Sequence, residues 1–353
     1  MTAQVLGDLT IVPVDYRALS DEHIAALNAF ENVMDAESHP EDPPTPIEIT
    51  RATATNHPDV LVIREFWARE ADGALAGMGY AWWKQVSENR HLAFCGVSVR
   101  RDRRGRGLAK TLLRNVVEDV EADGRTTIVC WTSDRVPAGE AFAKRVGAEP
   151  GSAVHTNRLL LADVDREMVR RWNDEGPVRA PDYELLMLDG PYPDDLIEEI
   201  CGVYDIMNTA PRDDLEIEDE NHSVDEMRQR EHQGESAGTQ RWSLFARHIP
   251  SHKLVGLTVV YWNPAQPDTI YQGDTGVHPD HRGHALGKWL KAAMLERVFA
   301  EHPNAVDVRT GNADSNDAML GINHALGFQP YIAQMNWQVP VERVRAYLDG
   351  SSA

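Results

Sequence analysis

Two ten-residue stretches of the chain combine basic side chains with glycines in a way that suits an anion. They are RRDRRGRGLA, from Arg100 to Ala109, and HPDHRGHALG, from His278 to Gly287. Each follows an apolar stretch, Val97-Ser98-Val99 or Thr275-Gly276-Val277, and each opens an amphipathic run, Lys110 to Gly124 or Lys288 to His302. A strand, a glycine turn and a helix in that order leave unpaired backbone N–H groups where the helix dipole is positive. Such a turn is a seat for a phosphate. The candidate binding residues are Val99, Arg104, Gly105, Arg106, Gly107, Leu108 and Ala109 in the first stretch. In the second they are Val277, Arg282, Gly283, His284, Ala285, Leu286 and Gly287. Alanine at 285 removes no N–H donor, so this turn keeps its anion site provided the position needs only a negative φ.

A second group of polar residues lies just upstream and downstream of the second turn. Gln272 and Asp274 precede it on a strand, and Asn316 and Asn323 flank a later helix. A period of two places Gln272 and Asp274 on one strand face, opposite Tyr271, Thr275 and Val277. Asp274 is the first candidate for a general base; it reads equally as a strand-end carboxylate bonded to a neighbouring amide. His278 and His281 are weaker candidates for a proton relay, because histidines in turns are usually solvated. The matching strand of the first copy offers Ala93, Phe94, Cys95 and Ser98, which bind but hardly deprotonate.

The copies keep a nearly constant spacing. Val99 and Val277 are 277 − 99 = 178 apart, as are Arg104 and Arg282, and the Gly147 and Gly327 turns are 327 − 147 = 180 apart. LAGMGYAWW from Leu75 matches LVGLTVVYW from Leu254, with 254 − 75 = 179. One offset across most of the chain is a domain duplication rather than a solenoid. The expected first domain is residues 1–175 and the second 176–353, with a connecting helix over 162–172 and a linker over 173–182. Within the first domain the pattern predicts strands over 9–14, 60–69, 76–86, 92–99, 127–132 and 154–161. The second repeats that order from a strand over 183–188 to one over 331–339. Two acidic loops, over 37–48 and 211–226, read as lids or solvated faces. The acids between Asp213 and Glu220 would draw in a cationic substrate.

The 353 residues suffice for two cores, and 35 basic against 56 acidic residues give a net charge of −21. That charge argues against a nucleic acid or an anionic membrane as partner. Cys95, Cys130 and Cys201 are isolated and odd in number, which predicts reduced core thiols and no metal site. With no long apolar run, the expectation is a cytoplasmic protein, monomeric or homodimeric. A nucleoside triphosphate loop is excluded because Ala109 stands where a glycine is required, and a dinucleotide turn because the third glycine and the downstream acid are missing.

Arg104-Gly105-Arg106-Gly107-Leu108-Ala109 matches the acetyl-CoA signature of the GNAT superfamily of N-acetyltransferases. Arg282-Gly283-His284-Ala285-Leu286-Gly287 matches it except for one alanine, and the distal motif survives as Asn316, Ala318, Gly327 and Phe328. The chain therefore resembles that superfamily, in a tandem arrangement similar to the two-domain mycothiol synthases. The resemblance implies an α/β fold of two tandem GNAT-like domains, each a mixed, mostly antiparallel sheet with helices on both faces. It implies acetyl-CoA as co-substrate, with Arg104 or Arg282 and Asn316 near it, and transfer of its acetyl group to a small primary amine. It also implies that two strands splay to admit the pantetheine, and that a backbone N–H near Val277 polarises the thioester. The usual acid and base positions of the superfamily hold Ala93 and Ala143 in the first copy, Tyr271 and Asn323 in the second. The second copy thus keeps Asp274, Asn323 and Gln272 as its catalytic candidates. Competing readings are a non-catalytic CoA-binding or assembly protein and an aminoacyl-tRNA-dependent transferase, the latter disfavoured by the acidic charge.

Overall fold

The computed structural model of the protein describes residues 4–350. The first repeat contains β1 (Gln4–Leu6), β2 (Leu9–Val14), α1 (Asp21–Ser38), α2 (Ile47–Thr55), β3 (Leu61–Arg69), β4 (Leu75–Lys84) and β5 (Leu92–Val99). It continues with α3 (Leu108–Ala122), β6 (Thr127–Ser133), α4 (Pro137–Val146), β7 (Glu149–Leu160) and α5 (Arg166–Arg179). The second repeat contains β8 (Tyr183–Asp189), α6 (Ile197–Tyr204), α7 (Val224–Ser236), β9 (Gln240–His248), β10 (Lys253–Asn263) and β11 (Gln266–Val277). After it come α8 (Leu286–Glu301), β12 (Asp307–Ala313), α9 (Asp317–Leu326), β13 (Gln329–Pro340) and α10 (Val341–Asp349).

The chain forms two compact units whose membership does not follow the repeat. The first comprises the residues up to Ala153, Arg212–Glu218 and those from Ala333 on; the second comprises Val154–Pro211 and Asp219–Ile332. In the first unit the strand order is β1-β2-β3-β4-β5-β6-β13, and β13 pairs antiparallel with β6 from Gln334 opposite Ser133 to Pro340 opposite Thr127. In the second the order is β8-β9-β10-β11-β12-β7, and β7 pairs antiparallel with β12 from Val154 opposite Ala313 to Leu160 opposite Asp307. Each repeat thus gives its last strand to the sheet built by the other. Each sheet is covered on both faces, as an α/β unit with a mixed sheet requires. Leu112, Val116 and Val120 of α3 with Val344 and Leu348 of α10 fill one face of the first unit, and Ile24, Leu27 and Phe30 of α1 the other. In the second, Leu290, Met294 and Val298 of α8 fill one face, and Ile200 and Val203 of α6 with Met227 of α7 the other.

Two segments depart from the expectation. The stretch 173–182, read as a linker from its glycine and prolines, is mostly the second half of α5. Packing overrides composition there: a Cβ on Gly176 would stand 2.3 Å from the Trp289 indole, so the glycine lets α5 lie close against α8. The acidic lid over 211–226 is also mostly fixed. Arg212–Glu218 belongs to the first unit, where Asn89 and Glu218 exchange bonds of 2.7 and 2.8 Å. There the Asp214 N–H donates to the Gly151 carbonyl and Ser152 donates to Asp213, at 2.9 and 2.5 Å. Asp219 and Glu220, at the end of the same acidic run, belong to the second unit.

Candidate active site

Both phosphate turns are built alike. A single 3-10 turn, Arg101–Arg103 or Pro279–His281, follows the strand, then come two left-handed residues, then the helix. Gly105 and Gly107 have φ of 76° and 84°; Gly283 and Ala285 have 89° and 60°. Position 285 therefore demands a positive φ, and alanine adopts it at a cost, contrary to the expectation that a negative φ suffices. The arginine of each turn folds back as a staple. Arg104 Nε donates to the Val99 carbonyl at 2.9 Å and Arg282 Nε to the Val277 carbonyl at 3.1 Å. Beyond that they differ. Both terminal nitrogens of Arg104 are held by Glu37 of α1 at 2.7 and 2.5 Å, which cancels its charge locally. Arg282 donates to the Thr209 hydroxyl at 2.8 Å and has no carboxylate partner among the described residues.

A cavity of about 750 Å³ opens at the second turn, large enough for a small-molecule ligand. Its walls include Arg282, Gly283, Ala285, Leu286, Gly287 and Asn316, six of the predicted binding residues, with Val277 at the strand end. Lys288, 4.9 Å over the Trp172 ring, adds positive charge to the rim, whereas Arg179 of α5 is paired there with Glu175 at 2.7 Å. His284 lies outside this wall and packs at a tilt against Tyr183, ring centroids 5.4 Å apart. Helix α9 begins here: Asn316 is its N-cap, its side chain accepting from the Met319 N–H at 3.3 Å.

A smaller chamber of about 300 Å³ adjoins it, where β11 and β12 part company. Those strands pair in parallel over Thr269–Tyr271 and Asp307–Arg309, as β5 and β6 do over Leu92–Phe94 and Thr127–Val129. Met207, Ala210, Pro211, Thr275, Asn316 and Met319 line both spaces, so the chamber opens from the cavity. Gln272 and Asp274 both reach it, but they do not share a strand face. Between Thr258 and Val260 the register slips, so that three residue steps of β11 face two of β10: a β-bulge at Gly273 and Asp274. Gln272 is buried beside Thr258 and Thr275, its Nε2 donating at 2.7 Å to the Val259 carbonyl and at 3.0 Å to Thr258 Oγ1. Asp274 turns to the opposite side, toward Tyr261, His222 and Arg230. It makes no hydrogen bond among the described residues, so the bonded strand-end alternative does not describe it. Burial pushes its carboxyl above the usual carboxylate range, with His222 and then Arg230 pulling it back.

Asn323 stands apart from this group. It is fully buried in α9, donates to Asn312 Oδ1 at 2.8 Å, and lines neither space. The residue that sequence reasoning missed is Lys291 of α8, which lines the chamber at 2% exposure. A lysine in an amphipathic run reads as part of its solvated face; the offset to Leu113, 291 − 178 = 113, an apolar residue, was the available signal.

The two repeats, residues 27–148 and 203–328, each match the model of the acetyltransferase (GNAT) family. The chain belongs to the GNAT family. It is similar over 94% of its length to 98% of a tandem GNAT protein from the clavulanic acid biosynthesis pathway, at 25% identity and a TM-score of 0.76. A GCN5-related N-acetyltransferase from Sphaerobacter thermophilus shares the fold at 12% identity and a TM-score of 0.62, with 94% and 96% of the two chains covered. A putative acetyltransferase from Pyrococcus horikoshii does so at 14% identity and 0.53, with 96% and 91% covered. No curated protein matches the chain. Members of the GNAT family are acyltransferases that use acetyl-CoA in general, and among the described residues no helix is long and apolar enough to cross a membrane.

The first GNAT repeat carries a buried acid that the strand reading also missed. Glu65 of β3 is 3% exposed, receives hydrogen bonds from the Tyr16 hydroxyl and the Trp67 indole, and is pushed up to about 8 by burial. Glu65 and Trp67 are two apart on one strand, so the period of two marked them as one face. Cys95 and Cys130 are free thiols, raised by burial.

Proposed function

We propose that the second GNAT repeat transfers an acetyl group from acetyl-CoA to a small primary amine, with Asp274 as the base. The observation that carries this reading is the shared wall between the cavity at the phosphate turn and the chamber that holds Asp274. The backbone N–H groups opening α8 and the unpaired Arg282 suit a pyrophosphate. The thioester would then lie between β11 and β12, near the Val277 end of the strand, where a free N–H stabilises developing charge on its oxygen. The amine nitrogen attacks the carbonyl carbon and loses a proton to Asp274. The C–S bond breaks, and the departing thiolate takes a proton from water. A carboxyl raised by burial is a better base than a solvated one, because its affinity for the proton is closer to what neutral pH requires. Gln272 orients the strand bulge that presents Asp274, through its bonds to β10. A small acceptor is in keeping with the tandem GNAT neighbour, a protein of a pathway that makes a small molecule.

Asp274→Asn keeps the shape and removes the proton acceptor. With a panel of primary amines it lowers kcat by about 10²- to 10⁴-fold and leaves acetyl-CoA affinity unchanged. An unchanged rate removes Asp274 from the mechanism. Turnover of no amine by the unaltered protein favours a CoA-binding role without chemistry.

A further inference from the structure

The chamber beside Asp274 contains more hydrogen-bond donors than the protein satisfies. Lys291 is 2% exposed and makes neither a hydrogen bond nor an ion pair with any described residue; its Nζ lies over the Phe328 ring, 5.5 Å from the centroid. Burial alone pushes its ammonium down to about 7, with no carboxylate acting to hold the charge. Thr310, 6% exposed, lines the same chamber with its hydroxyl donating to no described residue. Asn312 lines it too, and its Oδ1 accepts from Asn323 and Asn157, at 2.8 and 3.5 Å, which leaves its amino group uncommitted. Three donors, one of them an ammonium, thus line the chamber without a bonded acceptor, and the Asp274 carboxyl in the same chamber does not act on the ammonium.

The fold does not require this arrangement, because the other repeat lacks it. At the offset of 178 that relates the turns, Lys291 corresponds to Leu113; upstream of the bulge the registers shorten the offset by one, and Gln272 corresponds to Cys95. At the offset of 180 that holds beyond the helix, Thr310 corresponds to Cys130 and Asn312 to Thr132. Leu113 is an ordinary member of the first unit's core. A lysine at the same helical position gives up its hydration and receives only the face of the Phe328 ring in return. A ligand group that only accepts hydrogen bonds and carries a negative charge supplies what is missing, and a carboxylate does both.

We infer that Lys291, with Thr310 and Asn312, binds a carboxylate that a substrate carries into the chamber of the second repeat. The inference rests on the acyl-CoA reading of that site. Two substrates could bring the group: the acyl donor, as a thioester of a dicarboxylic acid, or the acceptor, as an amino acid rather than a simple amine. In either case Lys291 sets selectivity while Asp274 takes the proton.

The full-length protein and its Lys291→Leu variant, which restores the residue of the first repeat, separate these cases. Calorimetry with CoA, acetyl-CoA and succinyl-CoA tests the donor. Turnover of matched pairs, an α-amino acid against the amine of the same skeleton without its carboxylate, tests the acceptor. A charged hydrogen-bonded carboxylate is expected to give the unaltered protein a ~10- to 10²-fold preference for succinyl-CoA, or the same preference in kcat/KM for the amino acid. Lys291→Leu abolishes whichever preference is present, and Lys291→Met does so if the leucine variant folds poorly. CoA binding with no preference in either arm, or a preference that both variants keep, overturns the inference. Failure of CoA and both thioesters to bind removes the acyl-CoA reading itself, and the inference falls with it.

Discussion

The two phosphate turns share a backbone and differ in everything that a ligand would feel. In the first, both glycines are present and five arginines crowd the loop, yet Arg104 is clamped by Glu37. In the second, alanine occupies a left-handed position and histidines replace arginines, yet Arg282 faces no carboxylate and the cavity runs on into a chamber with an acid and an unpaired lysine. Agreement with a binding signature and equipment for chemistry have therefore been separated between the repeats. The signature reports the path of the backbone, which both turns keep. What the turn is used for depends on residues outside the signature: Glu37 and Thr209 are far away in sequence, and Asp274 and Lys291 lie on the flanking strand and helix.

The sharpest way to break this comparison is to remove the buried acid of each repeat in turn. Asp274→Asn is expected to cost about 10²- to 10⁴-fold in kcat, whereas Glu65→Gln, which preserves the shape of a carboxyl already protonated at neutral pH, leaves turnover unchanged. The reverse outcome in steady-state kinetics would place the chemistry in the first repeat.

A smaller but still large effect separates Lys291 from Leu113. Lys291 titrates at about 7 when folded against a normal value of 10.5 when unfolded. As pH falls from about 10.5 to about 7 the unfolded chain takes up a proton that the folded chain does not, so the lysine weakens folding increasingly across that window and by a constant amount below it. Lys291→Leu should accordingly stabilise the protein at pH 7, by on the order of 3–5 kcal/mol, and progressively less as pH approaches 10.5. Leu113→Lys should destabilise it. Denaturant unfolding across that pH range decides the matter; a Lys291→Leu variant no more stable than the parent at pH 7 would show that the lysine has a partner in solution.

Exchanging the small residues of the turns has an effect of about 1 kcal/mol. Ala285→Gly relieves a left-handed alanine and raises the melting temperature by a few degrees, while Gly107→Ala lowers it, since a Cβ there meets nothing within 4 Å and backbone strain alone acts. Equal melting temperatures for parent and both variants would contradict the strain argument.

The smallest expected effect is on the pH dependence of CoA affinity. His281 lines the second cavity, its Nδ1 bonded to the Tyr183 hydroxyl at 2.9 Å, and is held below the usual imidazole range by burial and then by His248 and His278, with His284 adding to this and Asp280 opposing it. A bound phosphate raises that value, so affinity at the second turn should grow several-fold as pH falls from about 7 to about 5. The first turn contains no histidine, so binding at that turn stays flat. Calorimetry on Gly107→Glu and Ala285→Glu variants, each lacking one seat, reads the two profiles separately.

Much of this was legible in the sequence: the duplication and the two strand-turn-helix units are written in residue pattern and spacing, and the splayed strand pair was implied by the family resemblance. The split of Gln272 from Asp274 was not, because a bulge is a register slip between two strands and period-two reasoning sees one. Lys291 looked like a surface lysine because α8 is buried nearly all round, so its polar residues mark no outer face. Glu37 looked solvated for the same kind of reason: its partner, Arg104, is 67 positions away.

The exchanged strands set an order of events for synthesis. When the first repeat has been made, β6 still lacks the neighbour that β13 will provide, and its edge stays open while residues 161 to 328 are assembled. An open edge is a site for pairing with another chain. β7 meanwhile waits for β12, so each repeat holds the missing part of the other. A chain halted near residue 175 would therefore have no complete sheet to fold into, and the duplicated gene can no longer be cut into two working halves.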